Sequence, residues 1–150
     1  MKPDPTLTLL IERSRENYET AARALGLATS QRERQVQKLT TLEEYRAEYR
    51  GRMDRHAENG LAMPELLNYR RFVAQLDQAV EQQQQAVRRA DQGVEAARLR
   101  WQEAHRALKS YEVLLDRRSS AAELVANRRE QRESDAYAQR IAQTRKSRAP

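Results

Sequence analysis

Alternating steps of three and four residues from Leu66 land on Leu66, Tyr69, Val73, Leu76, Val80, Gln83, Val87, Ala90, Val94, Ala97, Trp101, Ala104, Leu108, Tyr111 and Leu115. Fourteen of these fifteen positions are apolar, where a chain that is 39% hydrophobic would supply about six. A 3.5-residue period sustained this long is the mark of a helix that presents one stripe to a partner helix and supercoils left-handedly around it. The same stepping from Leu7 through Ile11, Ser14, Tyr18, Ala21, Leu25 and Ala28 to Leu39, Leu42, Arg46, Tyr49, Met53 and His56 gives ten apolar positions in fifteen. Its middle, at Arg32 and Gln35, is polar, so that stretch is the looser one.

The breakers separate these two stripes. The four prolines are Pro3, Pro5, Pro64 and Pro150, and the two long intervals between them lack the residue most costly inside a helix. Asn59-Gly60 is the strongest reversal, because glycine accepts the left-handed conformation that closes a helix. Pro64-Glu65 suits the first turn of the next helix, and Asp4 or Thr6 can cap the first one. A weaker break is expected at Gly26 to Ser30, where Ser30 and Glu33 have capping-box spacing. The expected fold is therefore all-α: a long antiparallel coiled-coil hairpin forming one domain over 1–150. Helix 1 covers about 6–58, the turn about 59–63 and helix 2 about 64–145.

Composition agrees. Charged residues reach 33%, mean hydropathy is −1.00, and there is one Phe and one Trp, too few for a thick globular core. Absence of Cys excludes a disulfide framework and thiolate metal sites and fits a reducing compartment. No apolar run approaches the ~18–20 residues of a membrane span, and the amino terminus lacks a signal-peptide pattern. A soluble, polar, intracellular chain is expected.

Helix lengths are unequal. Helix 1 is roughly 75–80 Å long and helix 2, if it reaches the carboxyl end, roughly 120 Å. With the turn centred between Gly60 and Leu61, facing residue numbers add to about 121, and helix 1 is exhausted opposite Tyr111 to Leu115. The basic segment begins there: residues 117–150 hold nine Lys/Arg against four Asp/Glu, whereas the rest of the chain is nearly balanced. This overhang carries Arg128, Arg129, Arg132, Arg140, Arg145, Lys146 and Arg148; it buries little of itself, is expected to fray, and is suited to ordering by a partner.

The same register sets Leu42 opposite Ala79, Tyr45 opposite Leu76 and Tyr49 opposite Phe72, about 15–25 Å from the turn. Tyr45 and Phe72 lie one position off their stripes, so two helices cannot bury them fully. The six residues form one aliphatic–aromatic patch rimmed by Glu43, Glu44, Arg46, Arg71 and Asp77. Either the patch thickens the core near the turn, or it is a docking surface.

Catalytic patterns are missing. His56 and His105 fall in different helices about 40 Å apart in this register and cannot share a metal. No phosphate loop, HExxH pair or nucleophile elbow occurs, and no cofactor is implied. Carboxylates such as Glu43 and Glu44 have no water-excluding pocket to tune them, so an enzyme is not expected. The rival functional class is a basic coiled-coil nucleic-acid binder, given a pI of about 10.0. Against it, Glu123, Glu130, Glu133 and Asp135 interrupt the arginines, Tyr137 is the lone aromatic among them, and no parallel zipper follows.

The order of segments resembles one family. Leu7-Thr8-Leu9-Leu10-Ile11-Glu12-Arg13 opens the chain, and Leu39-Thr40-Thr41-Leu42-Glu43-Glu44-Tyr45-Arg46-Ala47-Glu48-Tyr49 follows. Asn68-Tyr69-Arg70-Arg71-Phe72-Val73-Ala74-Gln75-Leu76, a Trp101-x-x-Ala104 seam and an Arg-rich tail complete the set. Across nearly its whole length the chain resembles FliJ, the flagellar type III export protein, which has stalk-protein equivalents in virulence-type secretion systems. The resemblance implies a non-enzymatic antiparallel coiled coil similar to the central stalk of rotary ATP synthases. It implies as partners the export ATPase FliI, the cytoplasmic linker of the export-gate protein FlhA, the ATPase regulator FliH and empty export chaperones. The location implied is cytoplasmic, peripheral to the inner-membrane export apparatus. Gate binding would fall on Leu42, Tyr45, Tyr49, Phe72, Leu76 and Ala79, with Lys38 and Gln83 standing where the family pattern has Gln and His. The ATPase ring would be contacted by Arg128, Arg129, Arg132 and Arg140.

Overall fold

A computed structural model describes residues 4–60 and 62–148; Leu61, at the expected centre of the turn, and Pro3 and Pro150 lie outside that range. Two helices account for almost all of it, α1 (Pro5–Glu58) and α2 (Met63–Ser147), and no strand occurs among the described residues. Asp4 caps α1: its Oδ1 accepts from the Thr6 N–H at 3.0 Å, and its carbonyl accepts from the Thr8 N–H at 3.1 Å. Pro5 takes the first helical position, where its missing N–H costs nothing.

Closure of α1 follows the expected chemistry. Asn59 N–H donates to the Arg55 carbonyl at 3.1 Å, Gly60 N–H to that of Ala57 at 3.4 Å, and Gly60 sits at φ 81°. The Ala62 carbonyl then accepts from Glu65 and Leu66, each at 3.1 Å, opening α2 with Pro64 and Glu65 in its first turn.

The expected break at Gly26 to Ser30 is absent, because α1 runs through it. Thr29 Oγ1 donates to the Leu25 carbonyl at 2.9 Å, a bond compatible with helix, and Ala21, Leu25 and Ala28 keep the buried stripe continuous. Packing of that stripe outweighs the local capping signal. The overhang is helical as well. α2 stays helical to Ser147, built largely from Ala, Arg, Gln and Glu, with Arg145 and Lys146 at its negative dipole end.

The chain divides into two compact units. In the unit spanning Tyr18–Ala104, α1 and α2 run antiparallel, since partners descend on one helix as they ascend on the other. The pairs are Tyr18–Trp101 with ring centroids 6.0 Å apart, Arg32–Asp91, Gln35–Gln83, Arg46–Asp77, Tyr49–Phe72 and His56–Tyr69. Val73, Leu76, Val80 and Ala97 form the core of this unit, and Val80 is 1% exposed. All fifteen predicted stripe positions of α2 are buried or half-buried, and on α1 only Arg32 and His56 among the fifteen are exposed. The polar middle is bridged rather than empty: Arg32 pairs with Asp91, and Gln83 Nε2 donates to both the Gln35 carbonyl at 2.9 Å and its Oε1 at 2.7 Å.

The other unit joins the chain up to Asn17 with the segment from His105 onward. Leu7, Ile11 and Ser14 are buried in it. Arg118 Nη1 donates to Asp4 Oδ2 at 2.9 Å, and Arg15 stands 4.0 Å from Glu112. Past Ala122, every described residue is exposed.

Candidate docking surfaces

The six patch residues come from α1 and α2 within the Tyr18–Ala104 unit, and the structure distributes them between floor and surface. Leu76 is buried at 9% exposure and belongs to the core, while Leu42, Tyr49 and Ala79 are half-buried. Tyr45 and Phe72, each off its stripe, stand 49% and 40% exposed. Phe72 meets Tyr49 edge-on with centroids 4.5 Å apart, an arrangement favoured by the aromatic quadrupole. Arg52 lies 5.3 Å from the Tyr49 ring centroid and is held there by Glu48 at 2.7 Å.

Ion pairs define the rim. Asp77 receives Arg50 at 2.7 Å and Arg46 at 3.8 Å, joining the helices beside the aromatic rings. Both partners remain substantially in solvent, so these pairs orient side chains more than they stabilise the fold. His56 stacks on Tyr69 at 5.4 Å, and no cluster of metal-ligating side chains occurs among the described residues.

Two features of this face were not read from the sequence. Gln83 bonds to Gln35, not to the Lys38 expected opposite it, a shift of nearly one helical turn along α1. Beside that polar pair lies a cleft of about 510 Å³. Half-buried Ala86 and Ala90 form its floor, and exposed Arg34, Lys38 and Arg89 its rim, with the amides of Gln31 and Gln35 between them. The signal available was three cations and Ala86 at seam-flanking positions beside Ala90 on the seam, which becomes a cleft only once the register is known.

In the other unit, Arg128, Arg129, Arg132 and Arg140 are all exposed on α2, and none joins an ion pair among the described residues. Leu124, Val125 and Tyr137 on the same segment are exposed by 52%, 64% and 64%. Among the described residues, no helix is long and apolar enough to cross a membrane.

Two long helices, paired with each other and without strands among the described residues, define an all-α helical-hairpin class of protein. Comparison with known proteins identifies its kind. The profile of the flagellar FliJ protein matches residues 2–147. The chain is 32% identical over 136 residues to a flagellar FliJ protein of Salmonella typhi and 31% identical to that of Escherichia coli, in each case covering 91% of this chain and 92% of the relative. A solved structure of a putative YscO homologue from Chlamydia trachomatis superposes with a TM-score of 0.65 over 99% of this chain and 98% of that one, at 14% identity, which shows the shared fold. The chain belongs to the flagellar FliJ protein family, and with it to the non-enzymatic components of flagellar type III export.

Proposed function

We propose that this protein is a stalk-like element of the export apparatus, cytoplasmic and peripheral to the inner membrane, that binds the export ATPase ring and the export-gate linker. The observation that carries the reading is the exposure of Tyr45 and Phe72 on two different helices, with Phe72 in edge contact with Tyr49. Two helices leave these rings half in water, and a third apolar surface removes that cost at about 25 cal/mol per Å² buried. The gate linker is the partner proposed for this patch. Leu42, Tyr49 and Ala79 widen the contact, and Leu76 supports it from below.

Arg128, Arg129, Arg132 and Arg140 are proposed to meet carboxylates and carbonyl groups of the ATPase ring. The uninterrupted helicity of α2 from Met63 to Ser147 gives both partners one element to bias, which is what coupling between them requires. Contacts with the ATPase regulator and with empty export chaperones belong to the same proposal.

The deciding experiment is capture of the gate linker by the full chain and by Tyr45→Ala and Phe72→Ala variants, with helicity monitored in parallel. Loss of more than ~1–2 kcal/mol of binding at unchanged helicity supports docking. Unchanged binding reduces the patch to core.

A further inference from the structure

We infer that the cleft rimmed by Arg34, Lys38 and Arg89 receives side-chain carboxylates of an acidic peptide segment, continuous with the segment whose apolar residues cover Tyr45 and Phe72. The inference rests on the docking reading of that patch and adds the chemistry of what docks beside it.

Charge accounting is the first support. Elsewhere on this unit Arg32 pairs with Asp91, Arg46 and Arg50 with Asp77, Arg52 with Glu48 and Arg98 with Glu95, while Arg23, Arg55, Arg70, Arg71, Arg88 and Arg100 join no ion pair among the described residues. What sets the cleft apart is that three such cations share one space. The three on the cleft take part in no ion pair among the described residues, and no carboxylate lines the space between them. Three like charges around one cleft repel one another, and an anionic partner relieves that repulsion while gaining charge-assisted hydrogen bonds.

Shape selects the kind of anion. The cleft holds about 510 Å³ over a floor of alanine methyls, wide for a single tetrahedral ion. Its backbone N–H groups lie in helix interiors and are already used, so no nest of free amides exists to wrap a phosphate. Dispersed guanidinium and ammonium groups over an apolar floor fit an extended peptide with more than one carboxylate. The Gln31 amide and the Nε2 of Gln35, whose Oε1 is taken by Gln83, line the cleft as further hydrogen-bonding groups.

Position links the cleft to the patch. Lys38 precedes Leu42 by one helical turn, and Ala86 follows Ala79 by two. From mid-cleft to mid-patch is about 16 Å along the helices, which about five residues of extended chain span. The occupant is thus expected to carry its acidic residues about five positions from its apolar anchor.

The test uses fluorescein-labelled octaglutamate as the probe, titrated by anisotropy at low salt against the full chain. Arg34→Gln/Arg89→Gln is expected to weaken probe binding about tenfold, whereas Arg23→Gln/Arg100→Gln, which removes the same charge from exposed positions of the same unit outside the cleft, changes it less than twofold. Equal binding by the cleft variant and the parent, or an equal loss in the control variant, overturns the inference, as does displacement of the probe by inorganic phosphate at matched charge. Phe72→Ala separates the two readings. If that variant captures the gate linker normally while the cleft variant loses octaglutamate, the patch reading falls and the acid site stands alone. If Phe72→Ala loses the linker while the cleft variant holds octaglutamate like the parent, the cleft reading falls alone.

Discussion

Phe72 of α2 and Tyr49 of α1 meet edge to face at 4.5 Å, yet Phe72 keeps 40% of its surface in solvent. The contact fixes the ring without burying it. Phe72→Leu should therefore hold helicity and lower thermal stability by about 0.5–1.5 kcal/mol, the worth of an aromatic pair beyond its area. Binding of the gate linker should fall further than stability does, which calorimetry and linker capture on the same variant would reveal.

Gly60 is the position at which a side chain is least tolerated. Its φ of 81° is unfavourable for any residue with a Cβ, although nothing lies within 4 Å of where that atom would sit. Gly60→Ala should cost about 1–2 kcal/mol from backbone conformation alone, and Gly60→Asn less. Chemical denaturation of the two variants checks the order.

The opposite sign is expected at Gly93, which lies in mid-α2 with open space around its missing Cβ. Gly93→Ala should stabilise the chain by about 0.5–1 kcal/mol, because alanine loses less backbone freedom on becoming helical. A rise in the denaturation midpoint without a change in slope would be the signature.

Acid should loosen the start of α1 in a defined window. The Thr6 backbone N–H, followed by the Arg118 guanidinium, holds the Asp4 carboxyl below its ordinary pKa. A depressed folded-state pKa means the contribution is complete above the ordinary value, near pH 4, and is lost as pH falls through the lower folded one. The Thr6 amide resonance should report this titration. Asp4→Asn should keep the cap acceptor and abolish the titration.

The Gln35–Gln83 layer offers a test of register. Replacing both with leucine removes two buried-edge amides from the stripe and should raise the melting temperature. Restoring one glutamine alone should lower it below the parent, since its amide then faces an apolar partner.

Much of this architecture was legible because a 3.5-residue stripe states its own burial. Val80 and Ala97 sit on the predicted line and are buried, and Tyr45 and Phe72 sit off it and are exposed. Asn59-Gly60 was equally legible, since one backbone conformation demands one residue type. What could not be read were contacts that depend on register to within a turn. Gln83 bonds Gln35 instead of reaching Lys38, and the cleft between Arg34 and Arg89 depends on side-chain size and reach around the seam. Ser14 is buried on an apolar stripe at 7% exposure, a small side chain carried by its helical position and not by its polarity. The helical tail was legible in its own residues, since Ala, Arg, Gln and Glu favour helix without a packing partner.

The exposure of every described residue from Glu123 to Arg148 has an evolutionary corollary. Core positions such as Ile11 and Val80 answer to the rest of the molecule, and drift there is policed by folding itself. Along the carboxyl-terminal helix that policing is lifted, leaving only helix formation and whatever surface it meets to reject a change. Orthologues are free to rewrite this stretch at the pace of its counterpart, so chimaeras exchanging it should fold normally and choose their associates by the donor of the tail.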